Sequence, residues 1–226
     1  MITENYRLVE ERVAAACTRS GRKREEVTLI AVSKTKPVSM IRELMEIGVA
    51  HYGENKAQEL VAKTDEITEP LNWHFIGHLQ RNKVKYVVGR ACMIHSVSSL
   101  RLAEEIQKEA QKQEQIVSVL IEVNIAEEET KLGIAEEEVF ELVREAAKLP
   151  NIRICGLMAI APPVDDPEEN RRYFRELKRL QQEIKGFGLE RVTMEELSMG
   201  MTGDFEVAIE EGATMVRVGT AIFGSR

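Results

Sequence analysis

The sequence predicts a closed (β/α)8 barrel. Three observations point there: short β-branched runs alternate with amphipathic helical stretches, eight such runs can be counted, and 226 residues suit eight compact units plus one extra helix. Parallel neighbours cannot be joined by a hairpin, so unbroken alternation implies right-handed crossovers. An open doubly wound sheet of the usual size has fewer strands, which favours the barrel.

The extra helix comes first, over residues 3–18, where glutamates and arginines alternate with apolar positions. The first strand, Thr28–Val32, leads to a helix over 38–47, and the run 49–52 leads to one over 55–64. Next come strand 73–76 with a basic helix over 80–88, strand 92–97 with helix 99–113, and strand 116–123 with helix 136–148. A strand over 152–160 runs through the Pro162-Pro163 loop into a charged helix over 167–185. Strand 191–197 precedes a helix over 203–211, and Met215–Val218 closes the series. With no linker, low-complexity tract or longer repeat, residues 1–226 are expected to form one domain.

Lysine and arginine total 31 against 38 acidic residues, a formal charge of −7, so no positive excess exists for a phosphate-backbone footprint. Six Phe, four Tyr and one Trp leave few stacking platforms for bases, and no nucleic-acid partner is expected. Cys17, Cys92 and Cys155 are odd in number and widely spaced, which argues against a disulfide framework or a CxxC motif. No signal peptide and no run of roughly 20 apolar residues is present, so a soluble, cytoplasmic protein is expected.

In a barrel the chemistry gathers at the C-terminal ends of the strands. The first strand ends in Ser33-Lys34-Thr35-Lys36-Pro37. Lys34 and Lys36 share strand parity, but Pro37 turns the chain away, so Lys34 is the candidate to enter the mouth, where a neutral amine can condense with an aldehyde. Leu197-Ser198-Met199-Gly200-Met201-Thr202-Gly203-Asp204 and Val216-Arg217-Val218-Gly219-Thr220 end the seventh and eighth strands, the usual place of a barrel's phosphate site. Neither fits GxxxxGK[ST] or GxGxxG. His74 and His78 lie across a strand-to-turn junction, which disfavours a metal site, and His74 and His95 suit hydrogen-bonded structural roles. Glu54, Glu122 and Glu196 would be the carboxylates of a sugar-phosphate enzyme, though each is expected to be a helix or strand-surface charge.

Together with Gly53-Glu54-Asn55, His74-Phe75-Ile76-Gly77, Leu79-Gln80, Asn82-Lys83 and Gly156-Leu157-Met158, these segments resemble, in order and spacing, the pyridoxal 5′-phosphate (PLP) homeostasis proteins. The resemblance spans essentially the whole chain. It implies a barrel of the alanine racemase type (PLP fold type III), with PLP carried as a Schiff base on Lys34. It further implies that Ser198, Gly219 and Thr220 hold the phosphate with Gly200 and Thr202 nearby, that Arg217 faces the pyridine nitrogen, and that Asn55, His74 and Met158 line the wall. On this reading the lysine stands on one rim, the phosphate loops on the far rim, and the cation between them.

The resemblance also implies binding and delivery of PLP without catalytic residues of its own. A cation beside the pyridine nitrogen disfavours its protonation and weakens the ring as an electron sink. Alanine racemases take a second base, a tyrosine, from an additional β-domain for which this chain is expected to have no residues. A small racemase using Lys34 as its base is the alternative. Apo PLP-dependent enzymes are the expected partners, and a monomer is the expected state.

Overall fold

The structure, a computed structural model, describes residues 1–126 and 132–224. Eight strands close into a parallel barrel in chain order, with β8 returning to β1. They are β1 (Thr28–Val32), β2 (His51–Glu54), β3 (Asn72–Phe75), β4 (Met93–Val97), β5 (Val117–Val123), β6 (Ile152–Ala159), β7 (Val192–Ser198) and β8 (Met215–Val218). The helices are α1 (Ile2–Arg19), α2 (Val38–Met45), α3 (Ala57–Glu66), α4 (Val84–Val87), α5 (Leu100–Lys112), α6 (Glu136–Ala146), α7 (Arg171–Gly186), α8 (Phe205–Glu210) and α9 (Thr220–Phe223). None of them is long and apolar enough to cross a membrane.

Strand parity sorts the side chains into two cores. Leu29, Ala31, Tyr52, Trp73, Phe75, Ile94, Val119, Ile121, Val216 and Val218 face outward and join the helices in one large buried cluster. Inside the barrel a small cluster, Leu120, Cys155 and Met158, packs with Met93. Other inward positions are polar, namely His51, His74, His95, Glu122, Ser198 and Arg217, while Ile30 and Val32 face inward over Gly53.

Two helices differ from expectation. The stretch expected as a helix over 80–88 is a short 3-10 turn, Arg81–Lys83, followed by the single turn α4, because only Val84, Val87 and Val88 supply a buried face. After β8 only the four-residue α9 follows. α1 packs on α8, α9 and α2 instead, occupying the outer layer where the eighth crossover helix of a barrel belongs. Its buried stripe, Val9, Val13, Ala16 and Cys17, has helical spacing.

Candidate functional site

A cavity of about 310 Å³ opens at the C-terminal ends of the strands, lined by Val32, Lys34, Asn55, Ile76, Ile160, Met201, Thr202, Gly203, Arg217, Gly219 and Thr220. Six of the ten residues expected at the site thus meet around one space: Lys34, Asn55, Thr202, Arg217, Gly219 and Thr220. The expected far-rim placement of the phosphate loops does not hold. β8 pairs with β1, Ile30 opposite Arg217, so Lys34 and Gly219 leave adjacent strands. A Cβ on Gly219 would lie 3.3 Å from that of Val32.

Lys34 is half-buried and makes no hydrogen bond or ion pair among the described residues. Its backbone is braced from behind. Thr35, at φ 64°, donates its N–H to Glu59 Oε2 at 2.6 Å. Ser33 Oγ donates to the fully buried Glu54 at 2.6 Å, while Lys63 on α3 pairs with Glu54 at 2.5 Å and donates to the Ser33 carbonyl at 2.8 Å. Burial pushes the Glu54 carboxyl above its ordinary range, and Lys63 and Ser33 pull it back. Glu54 is therefore a buried brace and not the surface charge the sequence suggested. Residue type alone hid it, although Lys63 falls on the same helical stripe as Leu60 and Ile67.

Asn55 follows directly and presents a buried Oδ1 with no hydrogen-bond partner among the described residues. Its loop is pressed against Gly77, where any Cβ would overlap the Asn55 backbone. On the other side, Asp204 accepts from Met201 N–H at 2.7 Å and from Asn170 Nδ2 at 2.9 Å, holding the loop that carries Thr202. Gly200 takes φ +90°, and a Cβ there would come within 2.6 Å of Ala208 Cβ. Gly200 thus shapes this loop without lining the cavity.

Arg217 forms part of the floor, 4% exposed. It donates to Ser198 Oγ at 2.6 Å and to the Ala159 carbonyl at 2.9 Å. Burial lowers its pKa to about 10, against the pull of Asp204 and Glu122. Glu122, also inside the barrel, has an unpartnered Oε2 and is pushed up to about 7 by burial, with Arg217 opposing. It too is no surface charge. Glu196 accepts from Thr214 Oγ1 at 2.5 Å.

Ser198, His74 and Met158 are not among the lining residues. Ser198 is fully buried between Arg217 and His95, His74 lies between His51 and His95, and Met158 packs on Leu120 and Cys155. The hydrogen bonds expected of His74 and His95 are present. Sequence reasoning did not single out Ile76, Ile160 and Met201, whose apolar side chains complete the walls. Among the described residues, no group of three or more His, Cys, Asp or Glu could hold a metal ion.

The family model for the N-terminal domain of alanine racemase matches residues 4–226. The pyridoxal phosphate homeostasis protein of Aquifex aeolicus is 47% identical, over 99% of this chain and 97% of its own length. That of Escherichia coli K12 is 41% identical, over 100% and 97%. The chain belongs to the pyridoxal phosphate homeostasis protein family. A solved structure similar to this family member is PipY of Synechococcus elongatus PCC7942 with PLP bound: 35% identity, TM-score 0.84, covering 96% of this chain and 100% of that one. The closed eight-stranded barrel of this family member is accordingly of the alanine racemase type.

Proposed function

We propose that this chain binds PLP in the 310 Å³ cavity and acts in its intracellular homeostasis as a non-catalytic carrier. The observation that carries the reading is the Lys34 amine, unpartnered among the described residues, lining the same space as Thr202, Gly219, Thr220 and Arg217. The names of the relatives and the PLP-bound PipY structure support it.

The residues fit the group. The volume is at the small end of ligand pockets. The Lys34 amine and the Asn55 Oδ1 have no hydrogen-bond partner among the described residues. The Thr202 and Thr220 hydroxyls and the backbone N–H groups that begin α9 offer donors to a phosphate. Gly219 lets that backbone approach closely. Ser198 and Gly200 act one layer back, holding Arg217 and the loop, while His74 and Met158 support the floor.

When bound, PLP supplies an aldehyde that condenses reversibly with an amine and a ring that can accept electrons. Lys34 would present the amine, and Arg217 in the cavity wall would hold a positive charge that opposes protonation of the ring. Among the described residues Lys34 and Arg217 are the ionisable side chains lining the cavity, and no second acid–base group of theirs faces Lys34, which supports a carrier over a racemase. Delivery to apo PLP-dependent enzymes, by a cytoplasmic monomer built as one domain over residues 1–226, completes the reading.

Borohydride added to the PLP-loaded chain should fix the cofactor on the Lys34 peptide, read by mass spectrometry. Lys34→Ala should abolish that label and the visible absorbance. Retention of both in Lys34→Ala overturns the assignment. Sustained exchange of the α-proton of a single-enantiomer amino acid in deuterated buffer would favour the racemase reading.

A further inference from the structure

Below the cavity floor an unbroken row of hydrogen bonds crosses the barrel. Arg217 Nη1 donates to Ser198 Oγ at 2.6 Å, and Ser198 Oγ meets His95 Nδ1 at 2.9 Å. His95 Nε2 meets His74 Nδ1 at 3.0 Å, and His74 Nε2 meets His51 Nδ1 at 3.0 Å. His51 Nε2 faces Asn72 Nδ2 at 3.4 Å. The residues come from β8, β7, β4, β3 and β2. Ser198 and His95 are fully buried and His74 is 3% exposed, whereas His51 is half-buried and Asn72 is exposed, at the opposite end of the barrel from the cavity.

Every ring in the row uses both nitrogens. A neutral imidazole has one donor and one acceptor, so the tautomer of one ring dictates that of the next. Cys92 Sγ also lies 3.7 Å from His74 Nε2, but only two polarities satisfy every contact along the row. In one, the Ser198 hydroxyl donates to His95 and the row donates outward to His51. In the other, Asn72 Nδ2 donates to His51, the row donates inward, and Ser198 Oγ receives both His95 Nδ1–H and Arg217. Burial keeps His74 and His95 neutral, so neither ring escapes the rule by taking a second proton.

We propose that Ser198, His95, His74 and His51 are positioning residues for Arg217: a tautomer-locked row that fixes the guanidinium beneath the cofactor and ties it to the solvent-facing end of the barrel. Satisfying every contact requires one polarity along all three rings, and the row ends on the hydroxyl that receives Arg217 Nη1, so its polarity sets how that hydroxyl meets the guanidinium. The proposal rests on the PLP reading above, because the orientation of Arg217 matters through the group it faces.

The test uses the full chain loaded with PLP. Nitrogen-15 spectra of the wild type should show His74 and His95 each in a single neutral tautomer, and Ser198→Ala should alter the tautomer signature of His74, a ring it does not touch. Ser198→Ala and His95→Phe should weaken PLP binding about tenfold and shift its absorbance maximum, as expected when a hydrogen bond to a charged group is lost. His95→Gln, which keeps a donor and an acceptor, should restore part of both. Trapping on Lys34 with unchanged affinity and absorbance in Ser198→Ala and His95→Phe overturns the proposal alone. So does a mixture of tautomers at His74 or His95 in the wild type, which needs no variant to fold. No trapping on Lys34 in the wild type overturns the PLP reading, and the proposal with it.

Discussion

At the scale of single residues, the barrel interior holds titratable groups away from their ordinary charge states, and this sets how stability depends on pH. His74 is driven from 6.5 down to about 3 by burial, with His51 adding to the effect, and burial also drives His95 well below 6.5. Above 6.5 both rings are neutral folded or unfolded. As pH falls below that value the unfolded chain takes up protons that the barrel refuses, so each ring removes about 1.4 kcal/mol of stability per pH unit until its folded value is reached. Urea unfolding at a series of pH values should show this decline, shallower by that amount per unit in His74→Leu; an unaltered slope would contradict it. Glu122 works in the opposite sense. Its carboxyl is raised from 4.5 to about 7, so the folded state holds a proton that the unfolded chain has lost, and ionisation above 7 leaves a buried charge. Glu122→Gln should therefore gain up to about 3 kcal/mol at pH 8 and almost nothing at pH 4, read from thermal midpoints.

At the scale of elements, the loop that presents Lys34 depends on α3. Lys63 reaches under β1 and β2 to pair with Glu54, a contact between groups 7% and 0% exposed. Removing one member of such a pair strands the other: Lys63→Met should cost about 3 kcal/mol and loosen PLP binding, while Lys63→Met with Glu54→Gln should recover much of the stability. Equal losses in the single and double variants would sink this account. The elements were largely legible in the sequence because the alternation of apolar periods is a local signal: β1 and β8 have the expected bounds, and α1 differs by one residue at each end. Single-turn α4 and α9 were not legible, being too short to display a period. Of the site, the residues leaving the strand ends could be read from position alone. The Ser198–His95 contact could not, because it joins β7 to β4 across the barrel interior, between strands that share no ladder, and sequence spacing carries no information about that crossing.

At the scale of the molecule, the outer layer is completed by the N-terminal helix. α1 is pinned to α8 by ion pairs from Arg12 and Arg19 to Glu206 and Glu210, but these are half-exposed and contribute little. The buried stripe carries the attachment. Val13→Asp should unseat α1, lower stability by several kcal/mol and raise hydrogen exchange in Thr28–Val32 and Met215–Val218, whereas Arg12→Ala should do neither. Exchange confined to α1 itself would show that the seam between β1 and β8 holds without it.

That seam governs when the site can exist. Lys36, two residues past Lys34, donates to the Phe223 carbonyl at 3.2 Å across 187 positions of chain. The lysine emerges early in synthesis, and the strand that must stand beside it emerges among the last. Until the ribosome has released β8, Lys34 has neither Gly219 and Thr220 beside it nor Arg217 below it, so on the proposed function a nascent chain should have no affinity for PLP, and PLP binding would report that the barrel has closed.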